Sequence, residues 1–249
     1  MSGRFRTACG TGLLLLLPAT VQAQAVTFKS PVGSYGATCV AKVCCEYAEN
    51  PLGLDTTQPR LSWVAHSDRR GERQTAFQIL VASTEEKLNA NQPDLWDSGK
   101  VASDQSIQVP YQGSALSSRR RCYWKVRIWD RDGQPTAYSQ PAFWEVGLLS
   151  PQDWQAEWIG YTAGWPGRAL YFRAQIMIFK PVERARAYIA GLGYYELRIN
   201  GGKVGDHVLD PGQTDYGKRV LYATYDVAPQ LRPGMNAVAV IVGNGWYGL

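Results

Sequence analysis

The chain has 249 residues, is 45% hydrophobic and carries a formal net charge of +5, which suits one large or two ordinary domains. The basic residues are scattered apart from Arg119-Arg120-Arg121, which reads as a solvated loop, so nucleic acid is excluded as a partner. Nine Trp and fourteen Tyr without helical heptads favour all-β architecture or a carbohydrate-facing aromatic surface.

Residues 1–23 have the form of a signal peptide. Arg4 and Arg6 supply the positive start, Leu13 to Leu17 the apolar segment, and Val21-Gln22-Ala23 the small-residue cleavage site. The apolar run is too short for a membrane span, and Cys9 precedes it, so it is no lipoprotein cysteine. The expected location is the periplasm or the exterior. Residues 24–42 are a lead-in. The mature cysteines Cys39, Cys44, Cys45 and Cys122 permit three full pairings, and either buried thiols or a single disulfide fits them. Their spacing and the lack of a nearby His argue against zinc.

Residues 43–149 give short strands punctuated by turns. They include Leu61–Val64 after Pro59, Phe77–Val81, Ile107–Val109 and Cys122–Trp129. In the last, Trp124, Val126 and Ile128 share one face and Lys125 and Arg127 the other, followed by a turn at Asp130-Arg131-Asp132-Gly133. Such a series predicts a β-sandwich, with Trp63, Trp124 and Trp129 in its core. Its order of motifs resembles a fibronectin type III module.

Ser150-Pro151-Gln152-Asp153 marks a boundary, and residues 150–249 form a second β region. Its predicted strands are Ala169–Ile178, Arg184–Ile189, Tyr194–Asn200, Val220–Val227 and Ala237–Val242, the last expected to be buried on both faces. Asn200-Gly201-Gly202 reverses the chain after an alternating strand. The apolar strand near the C-terminus, with no closing strand after it, is read as a truncated sheet with an unpaired edge.

Several stretches together resemble the N-terminal portion of bacterial α-L-rhamnosidases. They are "YAENPLGLDTTQPRLSW" (47–63), "YWKVRIWDRDG" (123–133), "FWEVGLL" (143–149), "WQAEWIG" (154–160), "GLGYYELRINGGKVGDHVLDPGQTDYGKRVLYATYDV" (191–227) and "NAVAVIVGNGWYG" (236–248). Cys122, where an aromatic is more usual, and Gln213, where Trp often stands, depart from the pattern. The resemblance implies two consecutive β-sandwiches, fibronectin type III/Ig-like and then jelly-roll-like, ahead of an (α/α)6 barrel that cleaves rhamnosides with inversion. The two carboxylates such chemistry needs belong to that barrel.

This chain is therefore expected to be inactive alone, with no catalytic residue of its own. Its expected partners are the barrel of the same polypeptide and rhamnose-containing glycans or glycosides. Glu196, Asp206, Asp210 and Asp215 read as solvent or turn carboxylates, and His66 and His207 as surface residues. The alternative is a stand-alone module that binds L-rhamnose at a loop rim formed by Asn200, Asp206, Asn244 and Trp246. No cofactor is required on either reading, though Asp206, Asp210 and Asp215 offer oxygen ligands of the kind calcium takes.

Overall fold

The computed structural model describes residues 38–161, 168–245 and 247, all within one compact unit, Gly36–Leu249. Its first sandwich contains β1 (Cys39–Cys45), β2 (Arg60–His66), β3 (Ala76–Ala82), β4 (Trp96–Asp97), β5 (Val109–Pro110), β6 (Arg121–Trp129) and β7 (Ala142–Glu145). One sheet runs β1-β2-β5 and the other β4-β3-β6-β7, with every pairing antiparallel. The β3–β6 register sets Phe77 opposite Ile128, Ile79 opposite Val126 and Val81 opposite Trp124, so alternate residues of both strands enter the core together. Trp63 on the facing sheet meets Phe77 edge-on at 5.1 Å. Trp63 and Trp124 pack in the core as expected, whereas Trp129, also buried, lies on the opposite face of β6 beneath Lys100 and Arg127.

A single helical turn, α1 (Glu85–Asn89), was not foreseen. Thr84 caps it by accepting from the Lys87 N–H, and Leu88 packs on Leu80 and Ala82. On the outer face of β6, Lys125 lies beneath the Tyr138 ring at 4.9 Å, and burial lowers its pKa. The thiols Cys39, Cys44, Cys45 and Cys122 are all free, with Cys45 and Cys122 in the core.

The second sandwich comprises β8 (Leu170–Ile178), β9 (Arg186–Ala190), β10 (Tyr194–Ile199), β11 (Gly202–Lys203), β12 (Tyr222–Asp226) and β13 (Gly234–Gly243). One sheet runs β11-β10-β13-β8 and the other is the pair β12-β9. Its core holds Tyr195, Leu197 and Ile199 of β10 with Val238, Val240 and Val242 of β13, packed against Ala187, Ile189 and Tyr225. Burial on both faces of β13 does not occur. Its valines face the core, while Ala237, Ala239 and Ile241 lie on the opposite, partly exposed face. The β12-β9 pair covers only one side of the four-stranded sheet, and side chains so short as alanine had masked this one-sided pattern.

The β12-β9 pair is also the layer nearest the first sandwich. Tyr222, Thr224 and Asp226 share its outer face with Ala190, Tyr188 and Arg186, their register partners. Among the described residues, no helix is long and apolar enough to cross a membrane.

Candidate functional site

The β10–β11 hairpin turns through Asn200 (φ 51°) and Gly201 (φ 88°), with Ile199 paired to Gly202. Two central residues with positive φ match the right-handed twist of the strands. The Asn200 side chain is used in place. Its Nδ2 donates to the Gln230 carbonyl and to Asn236 Oδ1, both at 2.9 Å, and its Oδ1 accepts from the Ala237 N–H at 3.0 Å. Asn236, fully buried, in turn donates to the Arg232 and Gly234 carbonyls. Asn200 thus fastens the turn to the start of β13.

The rim suggested for L-rhamnose does not assemble. Tyr194 pairs with Gly243 and Ile199 with Val238, so the residue after β10 and the residue after β13 leave opposite ends of the sheet. Asn200 and Asn244 are separated by the length of β10, roughly 20 Å at the usual rise per residue. Asp206 is exposed on the loop beyond β11, Asn244 is exposed past β13, and Trp246 lies outside the described residues. Sequence proximity to glycine-rich turns suggested a common rim; antiparallel pairing of the two strands prevents it.

The loop instead closes on Asp210. The Asp210 carbonyl accepts from the Tyr195 N–H at 2.8 Å, while its carboxylate accepts from the Tyr225 hydroxyl and meets His207 Nδ1 at 2.7 Å. The His207 ring lies 5.1 Å from that of Tyr225. Burial pushes the Tyr195 phenol up to about 12 and raises Tyr225 further, so both stay protonated donors. Asp215 is engaged with Lys218 at 3.0 Å and with the Gly217 N–H. Asp206, Asp210 and Asp215 therefore do not converge, and no group of three His, Cys, Asp or Glu fit for a metal is found among the described residues. Glu196 pairs with Arg198 at 3.2 Å and approaches Lys203 at 3.9 Å, the setting of a neutralised surface carboxylate.

The densest unforeseen chemistry lies in the seam between the sandwiches. Glu145, at the end of β7, is 1% exposed. Its carboxylate accepts from Arg121 Nε at 3.1 Å within its own sandwich and from Arg186 Nε at 2.8 Å and Nη2 at 3.0 Å across the seam. Arg186 also reaches Asp226 at 2.8 Å on the neighbouring strand. One carboxylate between two guanidiniums has its lone pairs filled, the condition under which a buried charge is tolerated.

Beside this clamp two glycines admit close approach. A Cβ on Gly147 would lie 2.2 Å from Tyr222 Oη, and one on Gly53 (φ +74°) 2.2 Å from Thr224 Oγ1. The Tyr222 hydroxyl accepts from the Leu148 N–H at 2.8 Å, and its ring stands between Trp154 (5.7 Å) and Tyr188 (6.0 Å). The only advance signal was the placing of Glu145 and Gly147 inside the apolar string "FWEVGLL".

Residues 40–150 match the family model described as Rha78A-like, N-terminal immunoglobulin domain, and residues 180–249 that of the alpha-L-rhamnosidase N-terminal domain. An alpha-L-rhamnosidase of Formosa agariphila is 40% identical over 230 residues, 83% of this chain and 24% of its own. One from an Alteromonas species is 37% identical over 209 residues, covering 80% of this chain and 23% of the relative. Among solved structures, the alpha-L-rhamnosidase from Dictyoglumus thermophilum aligns with a TM-score of 0.79 at 42% identity, over 84% of this chain and 25% of that one. The Aspergillus terreus enzyme aligns with a TM-score of 0.71 at 33% identity, over 85% and 24%. The chain thus spans about a quarter of the length of the curated relatives it matches.

Proposed function

We propose, for a chain that belongs to the α-L-rhamnosidase family and carries its N-terminal immunoglobulin-like and β-sandwich domains, a supporting role rather than a catalytic one. The two sandwiches, taken as 43–149 and 150–249, act as one stiff, non-catalytic body. That body positions the catalytic part of an exported enzyme that hydrolyses terminal α-L-rhamnosides with inversion. The observation that carries this reading is the Glu145 clamp, which joins β6 and β7 of one sandwich to β9 of the other through buried charge-assisted hydrogen bonds.

A flexible tether between modules would leave small polar contacts and water at their junction. Here Tyr222 and Thr224 sit against glycines that a single added carbon would displace. Inverting hydrolysis needs an acid and a base on either side of the sugar, with space for water between them. Three carboxylates of the second sandwich are committed otherwise: Glu196 to Arg198, Asp210 to Tyr225 and His207, and Asp215 to Lys218.

The test is an assay of residues 24–249 with an aryl α-L-rhamnoside. No release of the aryl group above background is expected. Release that Glu196→Gln or Asp206→Asn abolishes would overturn the reading.

A further inference from the structure

The sheet β11-β10-β13-β8 has a second face, turned away from β12-β9, and alternation fixes its contents. The registers place Glu196, Ile241 and Tyr171 in one row across the strands, and Arg198, Ala239 and Arg173 in the next. Ala237, paired with Gln175, continues the centre line. The middle strand thus offers two alanines as a low floor, and the outer strands raise long polar side chains on either side. Tyr171, near the start of the edge strand β8, is 75% exposed and presents its ring to solvent.

The charges on this face are unequal. Arg173, Arg198 and Lys203 stand against Glu196, which already pairs with Arg198 and approaches Lys203. Among the described residues, Arg173 makes no ion pair. Its guanidinium is carried on the far side of Ala239 from Arg198, so two forked donors flank one small residue.

We infer that this outward face binds a uronate-bearing oligosaccharide. The carboxylate lies over Ala239 between Arg173 and Arg198, and a neighbouring sugar ring stacks on Tyr171. A guanidinium fork fits a planar carboxylate through two parallel hydrogen bonds, and the flat ring of Tyr171 suits the apolar face of a pyranose. A modest positive excess over a short trough matches a ligand with scattered carboxylates better than the continuous charge of a nucleic acid. The choice of a saccharide rests on the family reading above, but its test involves no catalysis, so the two stand or fall separately.

The experiment is an NMR titration of the full chain with trigalacturonate, alongside its methyl ester and sodium sulfate at matched ionic strength. Trigalacturonate is expected to shift the amides of Tyr171, Arg173, Arg198 and Ala239 with an affinity of about 1 mM. Arg173→Gln should weaken it about tenfold, the usual scale for a lost hydrogen bond to a charged group. Tyr171→Ala should weaken it as well, while the methyl ester should leave the spectrum unmoved. Both substitutions are at exposed positions, and unchanged amides elsewhere in the spectrum establish that the variants are folded. Equal shifts from sulfate or the methyl ester, or none from trigalacturonate at about 10 mM, would overturn the proposal.

Discussion

Arg186 Nε donates to Glu145 Oε1 at 2.8 Å, and the two side chains, 7% and 2% exposed, belong to different sandwiches. Arg121, 21% exposed, completes the group from the Glu145 side. Hydrophobic contact alone would tolerate sliding of one module on the other. Directional bonds to a sealed carboxylate do not, because any displacement leaves a charge without its partner in a medium that solvates it poorly.

Glu145→Ala should therefore cost about 3–5 kcal/mol, the range for removing one member of a buried ion pair. Urea unfolding, read from the midpoint at constant m-value, measures it. A loss below about 1 kcal/mol would mean that water enters the seam and solvates both arginines.

The glycines give a graded comparison. Gly147→Ala drives a carbon to 2.2 Å from Tyr222 Oη and 2.9 Å from the Gly53 carbonyl, and the ring of Tyr222 is hemmed in by Trp154 and Tyr188. Overpacking of this kind costs about 1–3 kcal/mol. Gly53→Ala adds a left-handed backbone at φ +74° and should cost more. Gly133→Ala has a similar φ but nothing within 4 Å, so only the backbone cost of about 1–2 kcal/mol remains. Thermal melts of the three variants should rank them Gly53, Gly147, Gly133 in order of damage.

Much of the strand content was legible because alternation is local. The Tyr194–Asn200 pattern became β10, and Val238, Val240 and Val242 became the core face of β13. Glu145 was not legible. It ends a strand with Phe143 and Trp144, and only the arrival of Arg186, 41 residues later, converts it from a surface carboxylate into a buried one. The proposed rim of Asn200 and Asn244 failed for a related reason. Both residues follow strands and turns of the right composition, but which end of the sheet each reaches depends on strand pairing, a long-range property. β4 and β11, two residues each, carry too little pattern to be read at all.

The thiols should separate by burial. Cys39 is exposed, whereas Cys45 and Cys122 are sealed in the core, and burial pushes the Cys122 thiol up to about 12 and Cys45 higher. Iodoacetamide at pH 8 should label native protein at Cys39 and leave Cys45 and Cys122 unmodified until denaturant is added. Peptide mass mapping reads the result. Labelling of Cys122 in native protein would contradict the closed core.

The same burial sets an alkaline limit. Cys122 holds its proton from the ordinary 9.0 up to about 12 in the folded chain, and Tyr195 from 10.0 up to about 12, while the unfolded chain releases both at the lower values. The folded state then binds more protons, so the stability these groups contribute is complete below pH 9 and is lost as pH rises through this window. The slope approaches about 1.4 kcal/mol per pH unit for each group. Lys125, whose pKa burial lowers, works in the opposite sense and offsets part of it. Denaturation midpoints should fall as pH rises above 9, and Cys122→Ala should flatten the curve by one proton. A flat profile for the unmodified chain would contradict it.

The stiffness of the seam is measured most directly by residual dipolar couplings on weakly aligned, isotopically labelled protein. Amides of β2, β3 and β6 report one sandwich, and those of β9, β10 and β13 the other. One alignment tensor should fit both sets in the unmodified chain, and two should be needed once Glu145→Ala opens the clamp. Two different tensors in the unmodified chain would show modules that move independently, and the supporting role built on the Glu145–Arg186 contact would fall with them.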